Sequence, residues 1–197
     1  MQKKLKEVAQ VYSGASSHYF HKTDIPGSMP VELISADNLS SDGTLNLNKT
    51  TKRWVENPFP IKFFLEIGDI LVQMRGSVFK ASLITERCPN TPLSVNSNIA
   101  IVRLKSDKLL PEVVCFFLNS VFFQKTTIKQ TQSNIVLINL KALGDVMIDS
   151  VDAETQQQLR ALYYADLELT KTTLALLQQQ HAVTEAKFFD LIQSKKL

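Results

Sequence analysis

The sequence predicts an α+β fold: a mixed, β-rich domain over residues 1–150, then one long helix over 151–197 that pairs in an antiparallel coiled coil. Three observations carry this. Short β-branched runs alternate with brief helical segments up to about residue 150. The stretch from Ala153 to Leu197 holds no glycine and no proline. Within it Leu162, Leu169, Leu176 and Val183 recur one heptad apart, the spacing of a helix that buries one edge against another helix.

The elements follow in order. Leu5–Val11 is a short amphipathic opening that ends at Ser13-Gly14, and residues 14–30 form a loop rich in Ser, His, Gly and Pro. Val31–Ile34 reads as a strand. Ser40-Ser41-Asp42-Gly43 is a turn, with Gly43 available for a positive φ. Pro58-Phe59-Pro60 punctuates the next loop. Gly68-Asp69 leads into a buried strand, Ile70–Met74; Arg75-Gly76-Ser77 turns, and Ala81–Thr85 returns as a hairpin. Pro89 and Pro92 bound another loop. Ile99–Leu104 is the strongest strand candidate, and Pro111 opens a helix over about Glu112–Phe123. Residues 124–134 are a polar loop, Ile135–Ile138 a strand, and Asn139–Leu143 a helical turn. After Val146–Ile148, the Asp152 carboxylate is placed to cap the long helix.

A helix over Ala153–Ser194 would run roughly 60 Å at 1.5 Å per residue. Leu159 opens its apolar stripe, Tyr163, Leu177 and Leu191 widen it, and Asp166, Thr173 and Gln180 interrupt it. The proximal part, Leu159 to Leu167, can pack on its own domain. The distal half is too long for one small domain to cover, so a second chain is expected to supply the matching helix.

Composition narrows the class. With 44% hydrophobic residues the chain is globular. No apolar run reaches the length of a membrane span, and Met1–Leu5 lacks a signal-peptide core, so the expected compartment is the cytoplasm. Cys88 and Cys115 have no C-x-x-C partner and read as reduced, partly buried thiols rather than zinc ligands. The net charge is +3, with 17 Lys and Arg against 13 Asp and Glu in residues 1–150 and 5 against 6 in residues 151–197. The basic excess therefore lies outside the helix. It permits nucleic-acid binding without requiring it.

Enzyme motifs are weak. Asn57-Pro58-Phe59-Pro60 is only loosely like an amino-methyltransferase loop. It lacks the second consecutive proline, and 6 glycines in all leave little for a cofactor-binding loop. Glu185-Ala186-Lys187 fits a minimal nuclease pattern but lies on the long helix without a partnering Asp. His18-x-x-His21 offers two metal ligands and no third. No catalytic residue and no metal site are assigned.

Several phrases, taken together, carry a resemblance. They are Leu5–Gly14; Leu33–Leu39; Ile67-Gly68-Asp69-Ile70-Leu71-Val72 followed by Arg75-Gly76-Ser77; Ser94–Ala100; Phe116–Ser120; and Leu140–Ile148 followed by Glu154-Thr155-Gln156-Gln157. Their order and spacing resemble half of a type I restriction–modification specificity (S) subunit, in which two target-recognition domains are separated by long helices. The chain departs from that pattern in lacking a glycine within Gln130–Asn134, in lacking prolines within Ile148–Asp152, and in holding one recognition domain.

The resemblance implies a non-catalytic, sequence-specific subunit that binds double-stranded DNA. It would pair with a copy of itself or a second half-subunit, and would position a methyltransferase subunit, with or without a restriction subunit, on a bipartite site. S-adenosylmethionine, ATP and Mg²⁺ would belong to those partners, and this chain needs no cofactor. Phosphate contacts position such a protein and base-edge contacts specify its sequence. The positioning candidates are Lys22, Lys49, Lys52, Arg53, Lys80, Lys125 and Lys129, all in expected loops. The base-reading candidates are Arg75, Gln130, Gln132 and Asn134, since arginine pairs bidentately with guanine and the amides with adenine. Gly68, Gly76 and Asp69 read as structural. Two other classes remain open: a protein-interaction module with a dimerising helix, and a small DNA methyltransferase or nuclease.

Overall fold

The computed structural model describes residues 2–86, 90–127, 129–130, 136–149 and 151–194. The chain opens with β1 (Gln2–Lys4), α1 (Leu5–Val8) and β2 (Ala9–Ser13). Next come β3 (Ser28–Ile34), β4 (Thr51–Glu56), β5 (Ile70–Gln73), β6 (Arg75–Gly76), β7 (Ala81–Leu83), β8 (Leu93–Val95) and β9 (Ile99–Leu104). Helices α2 (Pro111–Asn119) and α3 (Val121–Thr127) precede β10 (Lys129–Gln130), β11 (Val136–Leu137), α4 (Leu140–Gly144), β12 (Met147–Asp149) and α5 (Ala153–Ser194). The chain clusters into two units, Met1–Arg160 and Ala161–Leu197, with the boundary inside α5.

Unit 1 is built around an antiparallel sheet ordered β2-β9-β5-β7. Its two inner strands are apolar at successive positions, Ile70–Val72 and Ile99–Val102, and all of these residues are buried. Such a run suits strands covered on both faces. A second sheet, β4-β3-β8, pairs β3 antiparallel to β4 and parallel to β8. One core cluster holds Ile34, Leu71, Val95, Ile99 and Ile101; a second gathers Val31, Val55, Phe59 and Phe63 against Tyr19, Phe20 and Phe64. Gly14 marks where the sheets meet. Its N–H donates to the Ile99 carbonyl and the next N–H to that of Val95, and a Cβ at Gly14 would strike the Val95 and Asn96 carbonyls.

One buried ion pair joins the turn before β5 to the central strand. The Asp69 carboxylate, 1% exposed, accepts from Arg103 Nε and Nη2 at 2.7 Å each. Its second oxygen also takes the Glu66 N–H, and Arg103 Nη2 donates onward to the Phe64 carbonyl. The bonds to Asp69 hold the Arg103 guanidinium firmly protonated against the opposing effect of burial. Gly68 supplies the positive φ of +92° that the turn demands.

Two expectations are corrected. Thr51–Glu56 is a strand, not part of a loop: β4 is the edge of its sheet, and an edge strand tolerates Thr-Lys-Arg at its start. The helix expected over Glu112–Phe123 is broken at Ser120, which is extended (φ −64°, ψ 145°), and helix resumes to Thr127 where a polar loop was expected. Ser120 Oγ donates to the Phe117 carbonyl and accepts from the Phe123 N–H, closing one helix and starting the next. The Asn119 side chain, meanwhile, accepts from the Ala81 N–H and donates to the Ala81 carbonyl, as a neighbouring strand would.

The start of α5 is capped as its sequence predicts: Asp152 accepts the Thr155 N–H and hydroxyl, each at 2.8 Å. Buried Gln156 then accepts from the Leu110 N–H and donates to the Lys108 and Val151 carbonyls. Arg160 reaches buried Glu112 at 3.1 Å. Cys115 is buried with its thiol against the Ala81 carbonyl, and Cys88 lies outside the described residues.

Arg103→Ala should lower unfolding free energy by about 3–5 kcal/mol, because it strands a carboxylate in the core. Urea denaturation followed by circular dichroism measures it. Asp145 bridges Lys6 at 2.7 Å and Lys4 at 3.1 Å, and these bonds pull its carboxyl down to about 2. Its folded pKa is below its ordinary value of 3.8, so its contribution is present above pH 3.8 and lost as pH falls toward 2. A carboxyl-carbon NMR titration of Asp145 should find its midpoint near 2, and Lys4→Ala with Lys6→Ala should return it toward 3.8.

Candidate nucleic-acid interface

The structure gathers the candidate DNA contacts into two groups on different sheets. The first lies on the β4 edge. His21 and Trp54 exchange backbone hydrogen bonds at 2.8 and 3.0 Å, which sets Lys22 beside the segment Lys52-Arg53-Trp54. Lys52 Nζ stands 5.0 Å from the Trp54 ring centroid, and Arg53 Nη1 donates to the Lys52 carbonyl. Lys22 and Lys52 are exposed, and Arg53 and Trp54 are half-buried. Lys52 and Arg53 therefore project from a strand, not from the expected loop.

The second group centres on a small antiparallel sheet ordered β10-β11-β6. Its register sets Lys129, Leu137 and Arg75 in one row and Gln130, Val136 and Gly76 in the next. Arg75, Lys129 and Gln130 thus belong to strands, where a turn and a loop were expected, and exposed Lys125 belongs to α3. Gln132 and Asn134 lie outside the described residues. Two candidates join neither group. Lys49 is exposed at the end of the 3₁₀ turn Leu47–Lys49, and Lys80 donates to the Ala36 carbonyl at 3.3 Å.

Trp54, which the sequence reading did not nominate, is the chain's single tryptophan and is directly preceded by Lys and Arg. The segment Asn57–Pro60 has another use, since Phe59 is buried with its ring centroid 5.1 Å from that of Phe64. His18 Nδ1 lies 3.0 Å from Ser16 Oγ, and His21 Nε2 lies 3.4 Å from Glu56. Among the described residues no group of three His, Cys, Asp or Glu is placed to hold a metal ion, and no helix is long and apolar enough to cross a membrane.

Unit 2 carries the apolar stripe. Leu162, Leu169, Leu176, Val183 and Leu191 are 49–66% exposed, and residues 171–193 are exposed throughout. Leu159, nearer the helix start, is half-buried.

No family model matches the chain, and no curated protein matches it. Solved structures do. A chain of a type I R-M system, solved in work on complex assembly and conformational transition, aligns over 97% of this chain and 43% of that one, with TM-score 0.61 and 18% identity. The HsdS subunit from Thermoanaerobacter tengcongensis aligns over 87% of this chain and 38% of its own, with TM-score 0.60 and 16% identity. The chain spans about two fifths of the length of the solved chains it matches. Its β-rich domain and long C-terminal helix have the fold of a type I S subunit over about two fifths of such a chain.

The single tryptophan makes the β4 edge observable by itself. Duplex DNA should quench the intrinsic fluorescence of the folded chain and shift its maximum, and Lys52→Ala should weaken the response at matched concentrations. Fluorescence unchanged at DNA concentrations that saturate anisotropy would remove the β4 edge from the interface.

Proposed function

We propose that this chain is the sequence-specificity subunit of a type I restriction–modification system, acting on double-stranded DNA without catalytic activity of its own. The observation that carries this reading is the alignment of 97% of the chain, domain and helix together, with 43% of a longer chain from such a system. Residues 1–150 read DNA, and residues 151–197 pair with the same helix of a second copy or of another half-subunit. A row of leucines left in water along that helix supports pairing, since each buried leucine contributes roughly 1.5–3 kcal/mol. An antiparallel pair of such helices holds two readers a fixed distance apart, on a bipartite site with an unread spacer. Two identical readers give a two-fold symmetric site.

A methyltransferase subunit, and a restriction subunit where the system has one, supply the chemistry and their own S-adenosylmethionine, ATP and Mg²⁺. The place of action is the cytoplasm, with the DNA. Lys22, Lys49, Lys52, Arg53, Lys80, Lys125 and Lys129 position the duplex by phosphate contact. Arg75, Gln130, Gln132 and Asn134 read bases. A protein-interaction module with a dimerising helix would share the stripe, but its binding to random duplex would not fall steeply with salt, as a DNA binder's does.

The test joins assembly to recognition. Sedimentation equilibrium should show a dimer, and Leu169→Lys with Leu176→Lys should give a folded monomer. Selection from a random duplex library should enrich a split, symmetric motif with the dimer and a single half-site with the monomer. A well-folded monomer at high concentration, or no enriched motif, overturns the reading.

A further inference from the structure

We propose that β11 and β6 form a base-reading row in which Leu137 is a specificity-determining residue beside Arg75, and Gln73 is the residue that positions it. This rests on the DNA-specificity reading above and assigns the reading to named side chains.

Arg75 and Leu137 are register partners on antiparallel strands. Directly opposed residues share a face, with Cβ atoms about 4.5–5.5 Å apart. Arg75 is exposed, and Leu137 is 53% exposed although it lies within a strand. The next row, Gly76 with Val136, belongs to the opposite face, and Val136 is buried there. The small sheet therefore has an inward face that anchors it and an outward row in which Arg75 and Leu137 stand side by side, with Lys129 next in register on β10. An isolated exposed leucine is ordinary; one held rigidly beside an arginine has matched chemistry in the major groove. Arginine takes the O6 and N7 of guanine, and an apolar side chain takes the methyl group of thymine. Bases on one strand are about 3.4 Å apart, so a pair at this spacing addresses neighbouring base pairs.

The row is tied to the core. The Ile138 N–H donates to the Met74 carbonyl, and the Met74 N–H donates to the Asn98 carbonyl. Gln73, 9% exposed on β5, donates from Nε2 to the Arg75 carbonyl at 2.8 Å. Gly76 lies so close over this amide that a Cβ there would collide with it. Gln73 Oε1 is the one side-chain nitrogen or oxygen, among the described residues, that is buried without a hydrogen-bond partner. An unpaired buried acceptor is a cost to the fold, and an apolar side chain of similar shape would avoid it. What the amide supplies instead is a fixed carbonyl at Arg75, which sets where that side chain leaves the strand.

The experiment is selection from a random duplex library with the full-length chain, its Leu137→Ala variant and its Gln73→Met variant. Each is paired with a salt titration on random duplex and a melting curve. Leu137→Ala should keep wild-type random-duplex affinity and salt slope while losing roughly tenfold preference for thymine at one base pair. Gln73→Met should lose roughly tenfold preference at the adjacent guanine, again with random-duplex binding and melting unchanged. A merely structural glutamine would instead lower melting and both kinds of binding together, and that result overturns its positioning role. If the wild type enriches a motif that Leu137→Ala enriches equally, the reading row is wrong although the specificity reading stands. If the wild type enriches no motif, both fall. Leu137 is on the surface, so its variant decides the question even if Gln73→Met fails to fold.

Discussion

The Arg103–Asp69 pair is the interaction on which unit 1 depends. A carboxylate at 1% exposure is tolerable only when its charge is matched and its lone pairs are filled. Here two guanidinium nitrogens and a backbone N–H do both. Because Arg103 is on β9 and Asp69 ends the turn into β5, the pair locks the two inner strands of the main sheet at one end. Arg103 also holds the Phe64 carbonyl, and so ties the aromatic cluster around Phe59 to the same point. β5 then runs on through Gln73 and Met74 to the strands that carry Arg75 and Leu137. The surface proposed to read bases is thus fixed, two residues beyond β5, by a strand whose other end is held by an ion pair.

The second constraint is an unmet one. α5 is continuous over 42 residues, well capped at its start, and presents leucines to water for most of its length. Helices of this length are not maintained by propensity alone, and their stability comes from packing an apolar face. Asp166, Thr173 and Gln180 within the stripe argue against a purely greasy contact. On the proposed reading these polar residues face the partner helix, where they cost stability and select register, as a spacer of defined length requires.

What was legible in the sequence was local. The α5 cap needed only Asp152 and its neighbours, Gly43 and Gly68 needed only their turns, and β9 announced itself by an unbroken apolar run. What was not legible depended on partners far along the chain. β4 hid behind Thr-Lys-Arg because an edge strand needs few apolar residues. The break at Ser120 hid inside an apolar stretch running to Phe123, because the force that makes it, Asn119 bonding to Ala81, comes from another element. The candidate site divides the same way. Residue chemistry alone nominated Arg75, Lys129 and Gln130, but that one small sheet joins them is a matter of register, which no local pattern states. Leu137, proposed as a base reader, was not nominated because a leucine in a short strand is ordinarily core.

Charge and recognition can be weighed against each other. A net +3 is small for a protein that holds DNA mainly by neutralising phosphates. Each well-made base contact discriminates by about 1–3 kcal/mol, so one reading row cannot by itself select a site from a genome. On the proposed reading, both shortfalls have the same remedy. A second copy doubles the phosphate contacts and the base contacts at once, and a stiff helical spacer makes the second set intramolecular, so that it binds at high effective concentration. The exposed leucines of α5 and the modest basicity of the domain before it are then two sides of one arrangement, in which a reader too weak alone is made selective by being held at a fixed distance from another.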